Sequence, residues 1–171
     1  YGVLPSLKIR PEDFWASVKE KRRATKSEEL LVYMKEMIKL ADQKDVKLDR
    51  DEFRKHGAGV EFFNGVSTWF DRIGQYVADL SGDSEVIVEH YIISSGLKEM
   101  IEGCEIAQFF KEIFACEFAY DQYGHPDWPS RVISDTSKTQ YLYRINKGVL
   151  DVNDSINSHM PHSERRIPFD N

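Results

Sequence analysis

The alternation of apolar and polar positions divides the chain into a helical first third and a mixed remainder. Residues 27–41 give the clearest helical pattern, because apolar side chains recur every three or four positions and lysine and glutamate lie opposite them. The apolar positions of this stripe are Leu30, Leu31, Met34, Met37, Ile38 and Ala41. Residues 8–60 contain no strand pattern, so they are predicted to form an all-helical unit.

Helix-start signals support this division. Pro11 suits the first turn of a helix, and Asp49 with Glu52 three residues later is a capping pair. Thr25 and Glu28 make a second pair of this kind, which is predicted to cap the helix described above.

Between these helices, residues 19–26 form a basic run in which five of the eight residues are lysine or arginine. A solvent-exposed helix end explains such a run, and a patch that faces the substrate is the alternative.

The central apolar stretch covers residues 86–93 and is predicted to be a β-strand that is buried on both faces. It leads directly into Ser94, Ser95 and Gly96, and a helical pattern begins at Leu97. The free N–H groups at such a helix start, together with the two hydroxyls, would bind an anion such as phosphate. The alternative is that the two serines only cap the helix.

Helix and strand patterns alternate from residue 67 onward. The pattern predicts a helix over residues 67–80, a second strand over residues 113–120, a turn over residues 121–126, a short strand over residues 132–133 and a helix over residues 136–148. Such alternation is typical of a parallel α/β sheet. The first of these helices is predicted to face a core with Trp69, Phe70, Ile73, Val77 and Leu80.

Composition narrows the range of functions. With 41% hydrophobic residues in 171, the chain has enough apolar side chains for a packed core. Its net charge of −6 argues against a nucleic-acid or anionic-membrane binder. It holds no apolar run of the ~20 residues that a membrane-spanning helix needs. Cys104 and Cys116 form no CxxC pair, which is typical of reduced thiols and predicts a cytoplasmic protein.

Four motifs follow one another from residue 63 onward: Phe-Asn-Gly-Val, a strand ending in Ile-Ile-Ser-Ser-Gly, the strand Ile-Phe-Ala-Cys-Glu-Phe, and Thr-Ser-Lys-Thr-Gln-Tyr-Leu. Their order resembles that of the haloacid dehalogenase-like hydrolase superfamily, and in particular its phosphoserine-phosphatase-like branch, which carries a helical cap. The resemblance covers nearly the whole chain. It implies an α/β fold with a partial, Rossmann-like three-layer core over residues 63–171 and an all-helical cap domain over residues 1–62.

The resemblance also implies an activity. Such enzymes hydrolyse small phosphorylated metabolites through an aspartyl-phosphate intermediate, with Mg²⁺ as cofactor. Ser94 matches the residue that hydrogen-bonds the phosphoryl group, with Ser95 and Gly96 beside it in the phosphate-binding segment. Lys138 matches the lysine that neutralises charge on the phosphoryl group, although an ordinary exposed lysine is the alternative. Lys147 lies nine residues later, where it more simply complements a helix dipole.

Two parts of that catalytic machinery have no match in the sequence. The nucleophile and the general acid/base form an Asp-x-Asp after the first strand, and the literal match Asp49-Arg50-Asp51 opens a predicted cap helix instead. The acidic loop that holds Mg²⁺ also has no match. The chain, which starts at Tyr1 rather than methionine, therefore resembles the middle of such an enzyme and is expected to be inactive by itself.

Two other functions stay open. The first is a non-catalytic phosphate-binding or interaction module that keeps the fold without the nucleophile and metal loops. The second is another parallel α/β protein in which Ser94 and Ser95 cap a helix beside a nucleotide phosphate, although no P-loop or GxGxxG pattern supports it. The five histidines show no metal-ligand spacing and are predicted to be structural or solvated.

Overall fold

The computed structural model describes residues 3–82, 84 and 86–159. Within these residues, helices and a small three-stranded sheet form a mixed α/β fold. The chain divides into two units, of which the first ends at Ile133 and the second begins at Ser134. The predicted boundary between a cap over residues 1–62 and a core over residues 63–171 stays a prediction.

The elements of the first unit are five α-helices, one 3-10 helix and three strands. The helices are α1 (Pro11–Thr25), α2 (Glu29–Gln43), α3 (Arg50–Ala58), α4 (Trp69–Ser81) and α5 (Lys98–Glu102), with the 3-10 helix at Glu105–Phe109. The strands are β1 (His90–Leu97), β2 (Phe110–Tyr120) and β3 (Pro126–Arg131). Within the described part of the second unit, the regular element is α6 (Lys138–Asn146).

Local sequence signals placed two helix starts correctly. Helix α1 begins at Pro11, as predicted. The carboxylate of Asp49 caps α3 by accepting the backbone N–H of Glu52 at 2.8 Å.

The predicted capping pair of Thr25 and Glu28 is wrong. Thr25 is the last residue of α1, and its hydroxyl donates to the backbone carbonyl of Lys21 at 2.8 Å. A residue that still belongs to one helix cannot cap the next, so α2 begins at Glu29 without a side-chain cap.

The sheet has the order β1-β2-β3, with β1 parallel to β2 and β3 antiparallel to β2. Helix α5 and the 3-10 helix make the crossover between the two parallel strands, as the alternating pattern predicts. The predicted turn is confirmed, since the backbone N–H of Asp121 donates to the carbonyl of His125 at 2.9 Å. The predicted short strand over residues 132–133 is wrong, because the strand that returns from this turn is β3.

The first strand begins later than the sequence predicts. Val86 and Ile87 are 55% and 75% exposed and precede the strand, whose pairing with β2 starts at His90 opposite Phe110. In β1 only Leu97 is fully buried, so the prediction of a strand over residues 86–93 that is buried on both faces is wrong. Within the described residues β1 pairs only with β2, which leaves its other edge unpaired.

Helix α3 packs on α5 through direct backbone contacts at two glycines. A Cβ atom on Gly57 would lie 2.9 Å from the carbonyl carbon of Met100 and closer still to its oxygen. A Cβ atom on Gly103 would lie 2.7 Å from the carbonyl carbon of Arg54. Only glycine permits such an approach, and the contact fixes the helix that directly follows β1.

The aromatic core beneath this contact joins α3 to the central strand. Phe53 and Phe118 are both fully buried, and their rings stack with centroids 5.7 Å apart. At the surface, the guanidinium of Arg54 pairs with the carboxylate of Glu102 at 2.8 Å.

Helix α4 does not face a core within the described residues, contrary to the prediction. None of its residues is buried, and Trp69 and Leu80 are 47% and 69% exposed. The ring of Phe70 stacks on the ring of Phe109, with centroids 4.3 Å apart. The residues that predicted burial do form an apolar stripe along α4, but the other described elements cover only a small part of this stripe.

In the second unit, the predicted helix over residues 136–148 is confirmed with shorter bounds. Gly148 follows the end of α6 with φ 66°, a left-handed conformation that glycine adopts readily. The guanidinium of Arg144 donates to the carbonyls of Asp151 and Asp154 at 2.9 and 3.1 Å, which folds the following segment back onto the helix end.

Candidate functional site

The predicted phosphate-binding serines lie in a bulge of β1 rather than at a helix start. Ile93 pairs with Phe114 and Leu97 pairs with Cys116, so four steps along β1 match two steps along β2. The Ser-Ser-Gly segment supplies the extra residues. Bulges re-aim side chains and are frequent beside functional sites.

The interpretation of the two serines as helix caps is wrong. Helix α5 has only five residues and begins at Lys98, and its N-cap position is Leu97. Ser94 and Ser95 therefore lie within the strand, and neither hydroxyl bonds to a backbone N–H of α5.

The two hydroxyls have different partners. Ser95 Oγ donates to the backbone carbonyl of Ile133 at 2.7 Å, so its proton is used inside the fold. Ser94 Oγ accepts the backbone N–H of Gly96 at 2.9 Å, and its own proton has no acceptor among residues 3–82, 84 and 86–159. Ser94 is thus the serine whose hydroxyl proton can be donated to a ligand.

Gly96 leaves room for this hydroxyl because it has no side chain. The residue is exposed, and a Cβ atom on it would lie 3.2 Å from Ser94 Oγ. Such a distance is tighter than an ordinary carbon–oxygen contact, so a side chain here would push the hydroxyl of Ser94.

Lys138 belongs to the second unit, where it is the first residue of α6. Its ammonium lies 4.0 Å from the fully exposed carboxylate of Asp135, and its side chain is 39% exposed. A pair of this kind contributes little to stability, so the ammonium stays accessible.

Lys147, the alternative, has its ammonium hydrogen-bonded to the side-chain oxygen of Asn157. The structure brings Ser94, Ser95 and Gly96 together and places Lys138 in the other unit.

Sequence reasoning missed a buried carboxyl group next to the bulge. Glu99 in α5 is 1% exposed, and its Oε1 accepts the hydroxyl of Tyr120 at 2.7 Å. Its other oxygen, Oε2, has no partner in the described part of the chain. The guanidinium of Arg50 lies over the ring of Tyr120, 4.3 Å from its centroid. Burial raises the pKa of the Glu99 carboxyl, and the hydrogen bond from Tyr120 opposes this shift.

Replacing Glu99 with glutamine is expected to raise stability at alkaline pH relative to wild type. Because the folded-state pKa of Glu99 lies above its ordinary value of 4.5, its stability contribution is complete below that value and is lost as pH rises through the folded pKa. Glutamine mimics the protonated carboxyl and does not titrate. The difference in Tm, Glu99→Gln minus wild type, should therefore increase from about pH 5 to about pH 8.

The matched control is Glu20→Gln, which removes an exposed carboxyl from α1. Its difference in Tm from wild type gives, at each pH, the effect of removing one exposed carboxyl. A difference in Tm for Glu99→Gln that does not change with pH would contradict the raised pKa of Glu99.

The described residues contain neither a cluster of metal-ligating side chains nor a helix that could span a membrane. No group of three or more histidine, cysteine, aspartate or glutamate side chains in this part of the chain is arranged to hold a metal ion. Mg²⁺ is expected to bind to an acidic loop that has no match in this sequence, so its presence in the whole protein stays a prediction. No helix among the described residues is both long and apolar enough to cross a membrane.

Comparison with known proteins identifies a relative of this chain. A protein of Borreliella burgdorferi, described as uncharacterized, is 34% identical over 139 residues, which cover 72% of this chain and 47% of the relative. The chain thus spans about half the length of that relative. No protein-family model matches the chain, and no solved structure matches it.

Proposed function

We propose that this chain is part of a phosphatase of the haloacid dehalogenase-like type that hydrolyses phosphate monoesters of small metabolites. The hydroxyl of Ser94 carries the proposal. Its acceptor side is occupied by the N–H of Gly96, and its proton has no acceptor in the described residues. A hydroxyl with this arrangement is oriented to donate to an anion.

The position of Ser94 in the sheet supports the same function. It lies near the carboxyl end of β1, which is parallel to its neighbour β2. Ligands of open α/β sheets bind outside the carboxyl ends of the parallel strands. The order in which β1, β2 and the helix that starts at Lys138 follow one another is also the order of the matching motifs in the resemblance, which includes no counterpart of β3.

The chemistry assigned to these residues is electrostatic. A hydrogen bond from Ser94 to a phosphoryl oxygen strengthens as negative charge develops in the transition state, and such bonds to charged groups contribute about 1.5–3 kcal/mol. Lys138 is assigned the neutralisation of phosphoryl charge. Mg²⁺ would offset the repulsion between an attacking carboxylate and the phosphate, and no residue of this chain is assigned as its ligand.

Replacing Ser94 with alanine in the full-length protein that contains this chain is expected to reduce kcat/KM for phosphate monoesters by at least about tenfold. The Tm should change little, because the hydroxyl accepts one exposed N–H and donates to nothing in the described fold. Steady-state kinetics and thermal unfolding of the same preparation measure both effects.

The matched control is Ser95→Ala in the adjacent position. It removes the hydrogen bond to the carbonyl of Ile133, so it should lower stability by about 1 kcal/mol and change kcat/KM less than Ser94→Ala does. The reverse pattern, with Ser94→Ala less stable and fully active, would show that Ser94 is structural.

The second candidate is a non-catalytic phosphate-binding module. Its requirement in this chain is the hydroxyl of Ser94, whose proton has no acceptor in the described residues. Phosphate binding that depends on Ser94, without Mg²⁺-dependent hydrolysis by the full-length protein, would support the module and reject the phosphatase.

A further inference from the structure

A second polar site lies where α1 ends and α2 begins. A cleft of about 620 Å³ opens at this turn and is called the basic cleft here. The residues that line it are Lys19, Arg22, Arg23, Lys26, Ser27 and Glu29. None of them belongs to the bulge of β1, so the basic cleft is separate from the candidate phosphate site.

The charges of the basic cleft do not cancel. The guanidinium of Arg22 pairs with the carboxylate of Glu29 at 2.9 Å. Lys19, Arg23 and Lys26 form no ion pair within residues 3–82, 84 and 86–159. Three positively charged side chains without an ion pair in the described residues therefore line a concave surface in a chain whose net charge is −6.

The positions of these residues concentrate the charge. Positions four apart on a helix are neighbours, so Lys19 and Arg23 lie on one side of α1, and Lys26, the residue that follows the helix, lines the same cleft. Like charges at this spacing repel one another by a few tenths of a kcal/mol per pair, whereas the dipole of the helix end attracts cations by a similar amount. The dipole therefore favours Arg23 in the last turn of α1, but it does not account for Lys19, which lies before that turn.

The backbone of Lys26 adds an independent observation. This residue follows α1 with φ 54° and ψ 33°, a left-handed conformation that glycine adopts readily and side chains disfavour. Glycine is the ordinary residue after a helix end with this conformation. A lysine here lowers stability relative to glycine and gains no ion pair in the described fold.

We propose that the basic cleft binds a small, multiply charged anion of the pyrophosphate class. The guanidinium of Arg23 can contact two phosphate oxygens at once, and the ammonium groups of Lys19 and Lys26 contact others as point charges. The volume of the cleft is within the usual range for small-molecule sites. A nucleic acid fits less well, because it requires an extended basic surface that an acidic chain does not offer.

Inorganic pyrophosphate is the probe, and isothermal titration calorimetry of the purified chain at low salt is the measurement. Arg23→Ala and Lys26→Gly should each raise the Kd by about threefold to fivefold, which is the scale of single exposed charges. The double variant should raise the Kd by about tenfold or more, provided that the two effects add. Inorganic phosphate, with fewer oxygens, should bind more weakly, and added salt should weaken binding of both anions.

The double variant Lys35→Ala/Lys39→Ala is the matched control. Both lysines are exposed on α2, outside the basic cleft and without an ion pair in the described part of the chain. This control removes the same net charge and should leave the Kd for pyrophosphate unchanged. Equal weakening by the control would overturn the proposal, since binding would then follow net charge alone.

Lys26→Gly separates a ligand role from a structural one. Without pyrophosphate, glycine should raise the Tm, because it relieves the left-handed backbone of this position. With pyrophosphate, the variant should show a smaller rise in Tm than wild type. A lower Tm with unchanged affinity, or no pyrophosphate binding by wild type at millimolar concentration, would overturn the proposal. Neither result depends on hydrolysis, so the outcome is independent of the phosphatase proposal.

Discussion

Replacing Gly57 with alanine is expected to lower the free energy of unfolding by about 2–3 kcal/mol, although alanine is the better helix former by about 1 kcal/mol. The new methyl group would lie 2.9 Å from the carbonyl carbon of Met100 and closer to its oxygen. That neighbour is backbone, so no side-chain rotation relieves the overlap, and α3 must move away from α5. Gly103→Ala should act in the same direction, because its Cβ would meet the backbone of Arg54.

Gly74→Ala is the matched control for both glycine variants. Gly74 lies in the interior of α4, and a Cβ atom there would meet nothing within 4 Å. Alanine should therefore raise stability by up to about 1 kcal/mol at this position. Chemical denaturation of the three variants measures whether each substitution raises or lowers the free energy of unfolding. A stabilising effect of Gly57→Ala would contradict the close approach of α3 and α5.

Replacing Lys138 with alanine in the full-length protein is expected to lower kcat for phosphate monoesters by about 10²-fold or more. The proposed role of the ammonium is to neutralise the charge of the phosphoryl group, which is largest in the transition state. The side chain forms only a long, exposed pair with Asp135, so its removal should change the Tm little. Measurement of kcat and Tm on one preparation separates the catalytic effect from a loss of folding.

Lys147→Ala is the comparison for this variant. The ammonium of Lys147 bonds to the side chain of Asn157, so alanine should affect the local structure of the second unit and change kcat far less. Equal effects of the two substitutions on kcat, or the reverse order, would show that the functional lysine has been assigned wrongly.

The parts of the fold that depend on local interactions were predictable from the sequence. Pro11 and Asp49 act within one helical turn, so the starts of α1 and α3 followed from a few neighbouring residues. The first strand was misplaced because β-branched residues such as Val86 and Ile87 favour extended backbone wherever they lie. Its true limits are set by pairing with β2, which begins at residue 110 and is a long-range property.

In the candidate site, too, local features were predictable from the sequence and long-range ones were not. The sequence pointed to Ser94 and Ser95 as a pair, but only the partners of their hydroxyls distinguish them. The bulge was not predictable, because it arises from the register of two strands rather than from either strand alone. Glu99 was missed since a glutamate in a short helical segment is usually exposed, and its burial arises from the packing of α5 on β2, the strand that contains Tyr120.

The direct contact between the backbones of α3 and α5 also determines how the region around Ser94 responds to mechanical load. Side-chain contacts yield by rotation about their χ angles, whereas two backbones in contact have no such freedom. At Gly57 and Gly103 we therefore expect the two helices to move together when α3 is pushed toward α5. Because α5 starts at the residue after β1 ends, such a displacement of α3 is expected to reach the carboxyl end of that strand.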